Sequence, residues 1–366
     1  MKQILLAQNS GFCFGVKQAM EKTEREIEQK CCGKTTGALY TWGPLIHNRT
    51  VTDALQAQGV HIAAHLEEVA AEDTLIVRSH GESKDFFTEA AGRGIHIVDA
   101  TCPFVKKIHD LVEEAYAAGY QIVILGDAAH PEVRGINGWC ENTALVVHTA
   151  EEARRIHADN LFVVCQTTIR RELLDEVTAV FAAAGKKAQI HNTICNATTL
   201  RQNSCMKLAK MCDCFIVIGG HNSSNTQKLA EIAKKTCKKV YFIEKIEDLP
   251  LHKIAKYNKI GVAAGASTPE CVIKEVIATM SENITEMNMM DLMDDIEKSL
   301  RLPRIGETVN GKVHQVTDKE IIVNMGCKKD GVIPKEEVTL EGDQKLTDLF
   351  KEGDEIQAKV IKTDDG

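Results

Sequence analysis

The chain alternates short, wholly apolar runs with longer stretches of helical periodicity. Ile4-Leu5-Leu6-Ala7, Leu75-Ile76-Val77, Ile122-Val123-Ile124-Leu125, Leu161-Phe162-Val163-Val164-Cys165 and Phe215-Ile216-Val217-Ile218 show no polar alternation. A strand without alternation is covered on both faces, the mark of a parallel sheet flanked by helices. Ligands in such sheets bind beyond the carboxyl ends of the strands. The loops that follow the apolar runs hold His47, His80, His130, Thr167, Thr168, Ser223, Ser224, Asn225 and Ser267.

The pattern repeats around three cysteines, Cys13, Cys102 and Cys195, which are 89 and 93 residues apart. Each follows a strand-like run and opens a helical pattern. One unit reads strand, cysteine, helix, strand, polar loop, helix, strand, polar loop, helix. Three such units predict three pseudo-symmetric α/β lobes that turn their cysteines and polar loops toward one central cavity. Three converging thiolates suggest a metal centre with an open coordination position. Thiolates are soft ligands that suit zinc, copper(I) or an iron–sulfur cluster. Structural zinc normally takes four ligands, often in local pairs. Iron–sulfur clusters accept dispersed cysteines, and a cubane on three of them keeps one iron free for substrate.

Composition narrows the classes. With 366 residues, the chain has room for two or three domains. A net charge of −8 argues against a surface that coats nucleic acid. No run approaches the ~18 apolar residues of a membrane span, and the start of the chain falls short of a signal peptide. A cytoplasmic protein with no membrane partner is expected. Thirteen cysteines in that setting are not a disulfide framework. Cys140, Cys165, Cys205, Cys237 and Cys271 read as small buried hydrophobes. Cys31-Cys32 and Cys212-Asp213-Cys214 are close pairs without a matching partner pair.

The loop residues carry little formal charge but many donors. His80-Gly81-Glu82-Ser83 and Ser223-Ser224-Asn225-Thr226 read as entries to helices, where backbone N–H groups favour anions. A phosphate or diphosphate is the ligand this chemistry fits, without any Gly-x-x-x-x-Gly-Lys-Ser/Thr loop. Glu132, in His130-Pro131-Glu132, is the one carboxylate among these loop ends. Near a cluster and an anionic substrate it would keep a proton at neutral pH and act as the acid. Thr167 would either relay that proton or cap the helix that follows.

These residues resemble the 4-hydroxy-3-methylbut-2-enyl diphosphate reductase family of the non-mevalonate isoprenoid pathway. The resemblance rests on Gly11-Phe12-Cys13-Phe14-Gly15-Val16, Ile46-His47-Asn48, Ser79-His80-Gly81, Asp99-Ala100-Thr101-Cys102-Pro103, His130-Pro131-Glu132-Val133, Gln166-Thr167-Thr168, Thr193-Ile194-Cys195-Asn196-Ala197-Thr198, Asn222-Ser223-Ser224-Asn225 and Gly265-Ala266-Ser267. It implies a 4Fe-4S cluster held by Cys13, Cys102 and Cys195, with the substrate hydroxyl at the open iron. Two electrons and two protons would remove that hydroxyl as water, giving isopentenyl and dimethylallyl diphosphate. It also implies a diphosphate clamp of His47, His80, Ser223, Asn225 and Ser267, and proton delivery by Glu132 with Thr167 and His130. His130, Thr167, Thr168 and Ser224 join the substrate-binding set. Ala129 replaces the glycine usual before the histidine. No nicotinamide or flavin fingerprint is present, so an external donor, ferredoxin or flavodoxin, is expected.

Composition shifts near residue 282. The reading is a three-lobed reductase domain at 1–282, an acidic, methionine-rich linker at 283–302 and a partial OB-fold at 303–366. That last segment is similar to the RNA-binding module of the ribosomal protein S-one type. RNA or ribosome binding is weakly supported, because Thr317-Asp318-Lys319-Glu320-Ile321 has no stacking aromatic and the lysines are balanced by acids. The chain's end at Gly366 reads as a truncation of a longer fusion. Two other readings compete: a cluster hydro-lyase acting on a carboxylate, which would call for arginines that these loops lack, and a non-enzymatic redox or RNA-binding regulator.

Overall fold

The computed structural model describes residues 3–283, 303–325, 330–339 and 344–363. The first stretch runs β1 (Gln3–Leu6), α1 (Phe14–Cys31), β2 (Leu39–Trp42), α2 (Arg49–Ala57), β3 (Val60–Ala63), β4 (Thr74–Val77), α3 (Lys84–Gly92) and β5 (His96–Asp99). A similar order, with the helix α6 where the first stretch has a single 3-10 turn at Leu66–Glu68, follows in α4 (Pro103–Ala117), β6 (Gln121–Leu125), α5 (Pro131–Asn137), β7 (Leu145–Val147), α6 (Ala150–Arg154), β8 (Leu161–Cys165), α7 (Arg171–Ala183) and β9 (Ala188–Ile190). It recurs again in α8 (Asn196–Ala209), β10 (Cys214–Ile218), α9 (Ser224–Thr236), β11 (Val240–Ile243), α10 (Leu251–Ile254), β12 (Lys259–Ala264) and α11 (Glu270–Asn283).

These strands form three four-stranded parallel sheets of identical order: β3-β2-β4-β5, β7-β6-β8-β9 and β11-β10-β12-β1. The central strands β4, β8 and β10 are buried at every position, as their unbroken apolar runs require. The three-lobed α/β reading is therefore correct. Each sheet also has an edge strand, β3, β7 or β11, which the repeat as read from the sequence omitted. These edges are three or four residues long and only partly buried, so their hydrophobic signal is weak.

The sequence repeat and the lobe do not coincide. β5 pairs with β4 in the first sheet, but α4 packs Ile108, Val112 and Ala115 against Ile122 and Ile124 of the second. β9 belongs to the second sheet, while α8 packs Cys205, Leu208 and Ala209 on Phe215 and Val217 of the third. β1 pairs with β12 of the third sheet, and α1 puts Val16, Ala19 and Ile27 with Leu39 and Ile76 of the first. Every one of the three cysteines thus lies on a crossover between lobes, which brings all three to the common axis.

Of the cysteines read as hydrophobes, Cys140, Cys165, Cys205 and Cys237 are buried, but Cys271 is exposed. α11 turns Val272, Ile273, Val276, Ile277 and Met280 into the core, and Cys271 lies off that stripe. Cys31 and Cys32 are exposed, Cys212 is half-buried and Cys214 is buried.

The C-terminal segment adds an antiparallel sheet of order β15-β14-β13-β16, from β13 (Thr308–Val316), β14 (Glu320–Asn324), β15 (Gly331–Pro334) and β16 (Glu355–Lys359). Val313, Ile321, Val323 and Leu346 form its core. This agrees with a partial OB-fold. Of the methionine-rich linker expected at 283–302, Asn283 ends α11 and the rest lies outside the described residues. Among the described residues no helix is long and apolar enough to cross a membrane.

Candidate active site

The carboxyl ends of the three sheets face one cavity, and all thirteen residues singled out from the sequence line it. Hydrogen bonds and ring contacts cross the lobe boundaries. Ser267 Oγ donates to the His47 carbonyl at 3.2 Å, joining the third lobe to the first. Thr168 Oγ1 and Ser224 Oγ are 2.9 Å apart, joining the second to the third. His47 and His80 come from the first lobe and His130 from the second, with ring centroids 4.6, 5.8 and 5.4 Å apart.

Cys13, Cys102 and Cys195 are the N-caps of α1, α4 and α8. A helix N-terminus favours a thiolate through its partial positive charge. Burial pushes the Cys102 thiol well up, and the neighbouring Cys13 and Cys195 push it further. Burial and Cys13 likewise push Cys195 up to about 12. All three thiols line the one cavity, and a cationic centre held there would reverse their mutual effect. Gly15 leaves them room: a Cβ there would lie 2.6 Å from Cys102 Sγ.

Spacing bears on which metal fits. Tetrahedral zinc, with Zn–S of about 2.3 Å, requires sulfurs roughly 3.8 Å apart. Among the described residues, the one group of three or more possible ligands whose donor atoms all lie within 4.8 Å is His47, His80 and His130. Cys13, Cys102 and Cys195 do not form such a group, so at least one pair of their sulfurs lies more than 4.8 Å apart, farther than one tetrahedral zinc would hold them.

The surroundings of His47, His80 and His130 favour the neutral form of all three. Burial, then the charge of Arg78, lowers His47. Burial, then His47, His130 and Arg78, holds His80 well below its ordinary range. Burial and His47 bring His130 down to about 4. His130 Nδ1 accepts from the Glu132 backbone N–H at 3.2 Å, so the proton of the neutral ring is on Nε2. His47 Nε2, His80 Nδ1 and both side-chain polar atoms of Asn225 are buried without partners. Buried polar atoms are rarely left so, and here they line a cavity.

Glu132 is 2% exposed. Burial pushes its carboxyl up to about 7 against the opposing pull of two hydrogen bonds from Thr167. The Thr167 backbone N–H donates to Oε1 at 2.6 Å and its hydroxyl pairs with Oε2 at 2.8 Å.

Some expectations need correction. Thr167 is not a helix cap, since α7 starts after Arg170. The segment 80–83 does enter a helix, through Ser83, which caps α3 three residues beyond His80. Ser223 does cap α9, accepting from Thr226 N–H at 3.4 Å. Ala129 costs no strain: it is not among the described non-glycine residues with positive φ. The sequence reading also missed arginine. Arg201 lines the cavity from α8, donating to the Gly11 carbonyl at 2.8 Å and the Ala197 carbonyl at 3.3 Å. Ala197, Thr198 and Arg201 share a helix face by their spacing, which could have revealed it. Arg78 pairs with Glu82 at 2.7 Å.

A family model described as "LytB protein" matches residues 4–281. The chain belongs to the LytB protein family. A model described as "S1 RNA binding domain" matches residues 302–366, after the LytB segment. A curated relative from Clostridium acetobutylicum, named 4-hydroxy-3-methylbut-2-enyl diphosphate reductase, is 39% identical over all of this chain and 57% of its own length. One of the same name from Clostridium tetani is 40% identical over 98% of the chain and 56% of its own length. The chain therefore spans little more than half of these relatives. A shorter relative of that name, from Alkaliphilus oremlandii, is 45% identical over 75% of the chain and 98% of its own length. A solved structure of the reductase, described as the terminal enzyme of the non-mevalonate pathway, is 38% identical, with TM-score 0.57 over 77% of this chain and 100% of its own. The Plasmodium falciparum reductase, at 24% identity and TM-score 0.72 over 81% of this chain and 98% of its own, shares the fold.

Proposed function

We propose that this chain is an iron–sulfur oxidoreductase that converts 4-hydroxy-3-methylbut-2-enyl diphosphate to isopentenyl and dimethylallyl diphosphate by reductive dehydroxylation. The observation that carries the reading is one cavity holding three capping cysteines, three neutral histidines and a buried glutamate poised near pH 7. A 4Fe-4S cluster on Cys13, Cys102 and Cys195 would supply an open Lewis-acidic iron and the route for two external electrons.

The remaining work falls to the chain's own groups. His47, His80 and His130, with Ser223, Ser224, Asn225, Thr168 and Ser267, bind the diphosphate as neutral donors. Neutral donors in a buried site recognise the anion without bearing charges that would need pairing in its absence. The Glu132 Oε1 atom takes the Thr167 N–H in either protonation state, so its proton resides on Oε2. Protonated Oε2 donates to Thr167 Oγ1, which frees the threonine hydroxyl hydrogen to point into the cavity. Glu132 and Thr167 thus deliver a proton to the substrate, with His130 beside them. Ferredoxin or flavodoxin is the proposed donor.

The hydro-lyase reading gains one arginine, but Arg201 is committed to two backbone carbonyls. Mössbauer spectra of iron-57-labelled protein, with and without the diphosphate substrate, test the proposal. A four-iron cluster with one distinct iron that shifts on substrate addition supports it. A spectrum without a cubane, or one indifferent to substrate, refutes it. Turnover without any reductant would favour the hydro-lyase. Glu132→Gln should bind substrate normally and lose about 10²–10⁴ in kcat; unchanged kcat would remove Glu132 from the acid role.

A further inference from the structure

The C-terminal module touches the reductase lobes beside the cysteines. His314 is the extra residue of a β-bulge in β13: Val313 opposes Val323 and Gln315 opposes Ile322, leaving His314 unpaired between them. Bulges re-aim side chains. His314 is only 3% exposed, and its ring lies 4.7 Å from that of Phe104. Phe104 is the second residue of α4, two positions after Cys102, and lines the cavity.

Burial pushes the carboxyl of Asp330, just before β15, up to about 6, against the pull of the Lys17 and Arg201 charges. Lys17 is the fourth residue of α1, behind Cys13, and Arg201 is on α8, behind Cys195. The module therefore meets the N-terminal end of α4 through Phe104, and the charges of Lys17 on α1 and Arg201 on α8 act on its Asp330.

We infer that the C-terminal module caps the cavity wall beside Cys102, held by His314 on Phe104, so that a bulky electron donor reaches that wall only after the cap moves. The module thereby becomes a gate on the redox side of the site. The arrangement also occupies His314, the residue of β13 whose ring is suited to base stacking.

Hydrogen–deuterium exchange on the full chain tests the contact rather than turnover, so its outcome is separable from that of the proposed chemistry. First-turn amides of α1 have no helical acceptor, and their protection reports cover. Asp330→Lys should speed their exchange several-fold, and so should Lys17→Asp. The double variant Asp330→Lys/Lys17→Asp should recover part of the protection, because the charges again attract. Exchange at Ile321–Val323 of β14 reports whether the module stays folded. Native exchange at the start of α1 in Asp330→Lys, with β14 still protected, overturns the cap. If Asp330→Lys unfolds the module, Lys17→Asp decides, since it leaves the module's own sequence intact; no change there overturns the cap.

Discussion

Replacing Glu132 by glutamine isolates the proton that the site is built to hold. Burial moves this carboxyl from the ordinary 4.5 to about 7. At pH 7 that raises its protonated fraction from roughly 0.3% to about one half, on the order of 150-fold. The same difference is worth about 3 kcal/mol of stability, at ~1.4 kcal/mol per pH unit. Its sign follows from the direction. Between pH 4.5 and 7 the folded state holds a proton that the unfolded chain has lost, so stability falls as pH rises through that window. Below 4.5 both states are protonated and the cost vanishes; above about 7 it is complete. Infrared difference spectra between native protein and Glu132→Gln, recorded from pH 4 to 9, read the carboxylic C=O band directly. The band should titrate with a midpoint near 7, and kcat should fall along the same curve. A bound diphosphate should raise the midpoint further by like-charge repulsion. A carboxylate band already complete at pH 5.5 would refute the argument, because burial would then not control the group.

Other positions give independent checks. Cys195→Ser should lose cluster integrity, measured as iron and sulfide per chain; a fully retained cubane would make Cys195 a packing residue. Gly15→Ala places a methyl 2.6 Å from Cys102 Sγ; it should displace that thiol, lower iron content and cost about 1–3 kcal/mol by overpacking, read by metal analysis and denaturation. Gly220→Ala overlaps the His47 carbonyl, which also accepts from Ser267. It should raise KM for the diphosphate about tenfold, or ~1.4 kcal/mol, with iron content unchanged; an unaltered KM would remove His47 from the clamp.

Local pattern determined much of this protein. Unbroken apolar runs specified the buried strands, and the position of each cysteine between strand and helix specified a helix N-cap. Both signals live within a few residues, so they are legible without any partner. The polar loops could be placed at strand carboxyl ends for the same reason, and all of them line the cavity. Tertiary structure alone decided which lobe each strand joins: the strand before every cysteine pairs in one sheet while the following helix packs on the next. That choice depends on pairings as distant as Gln3 with Lys259, which periodicity does not encode. Burial in the folded chain pushes the Glu132 carboxyl up to about 7, and Arg201 reaches the cavity because α8 turns that face inward. The contact of His314 with Phe104 joins residues 210 positions apart, and only packing could bring that bulge to the cysteine helices.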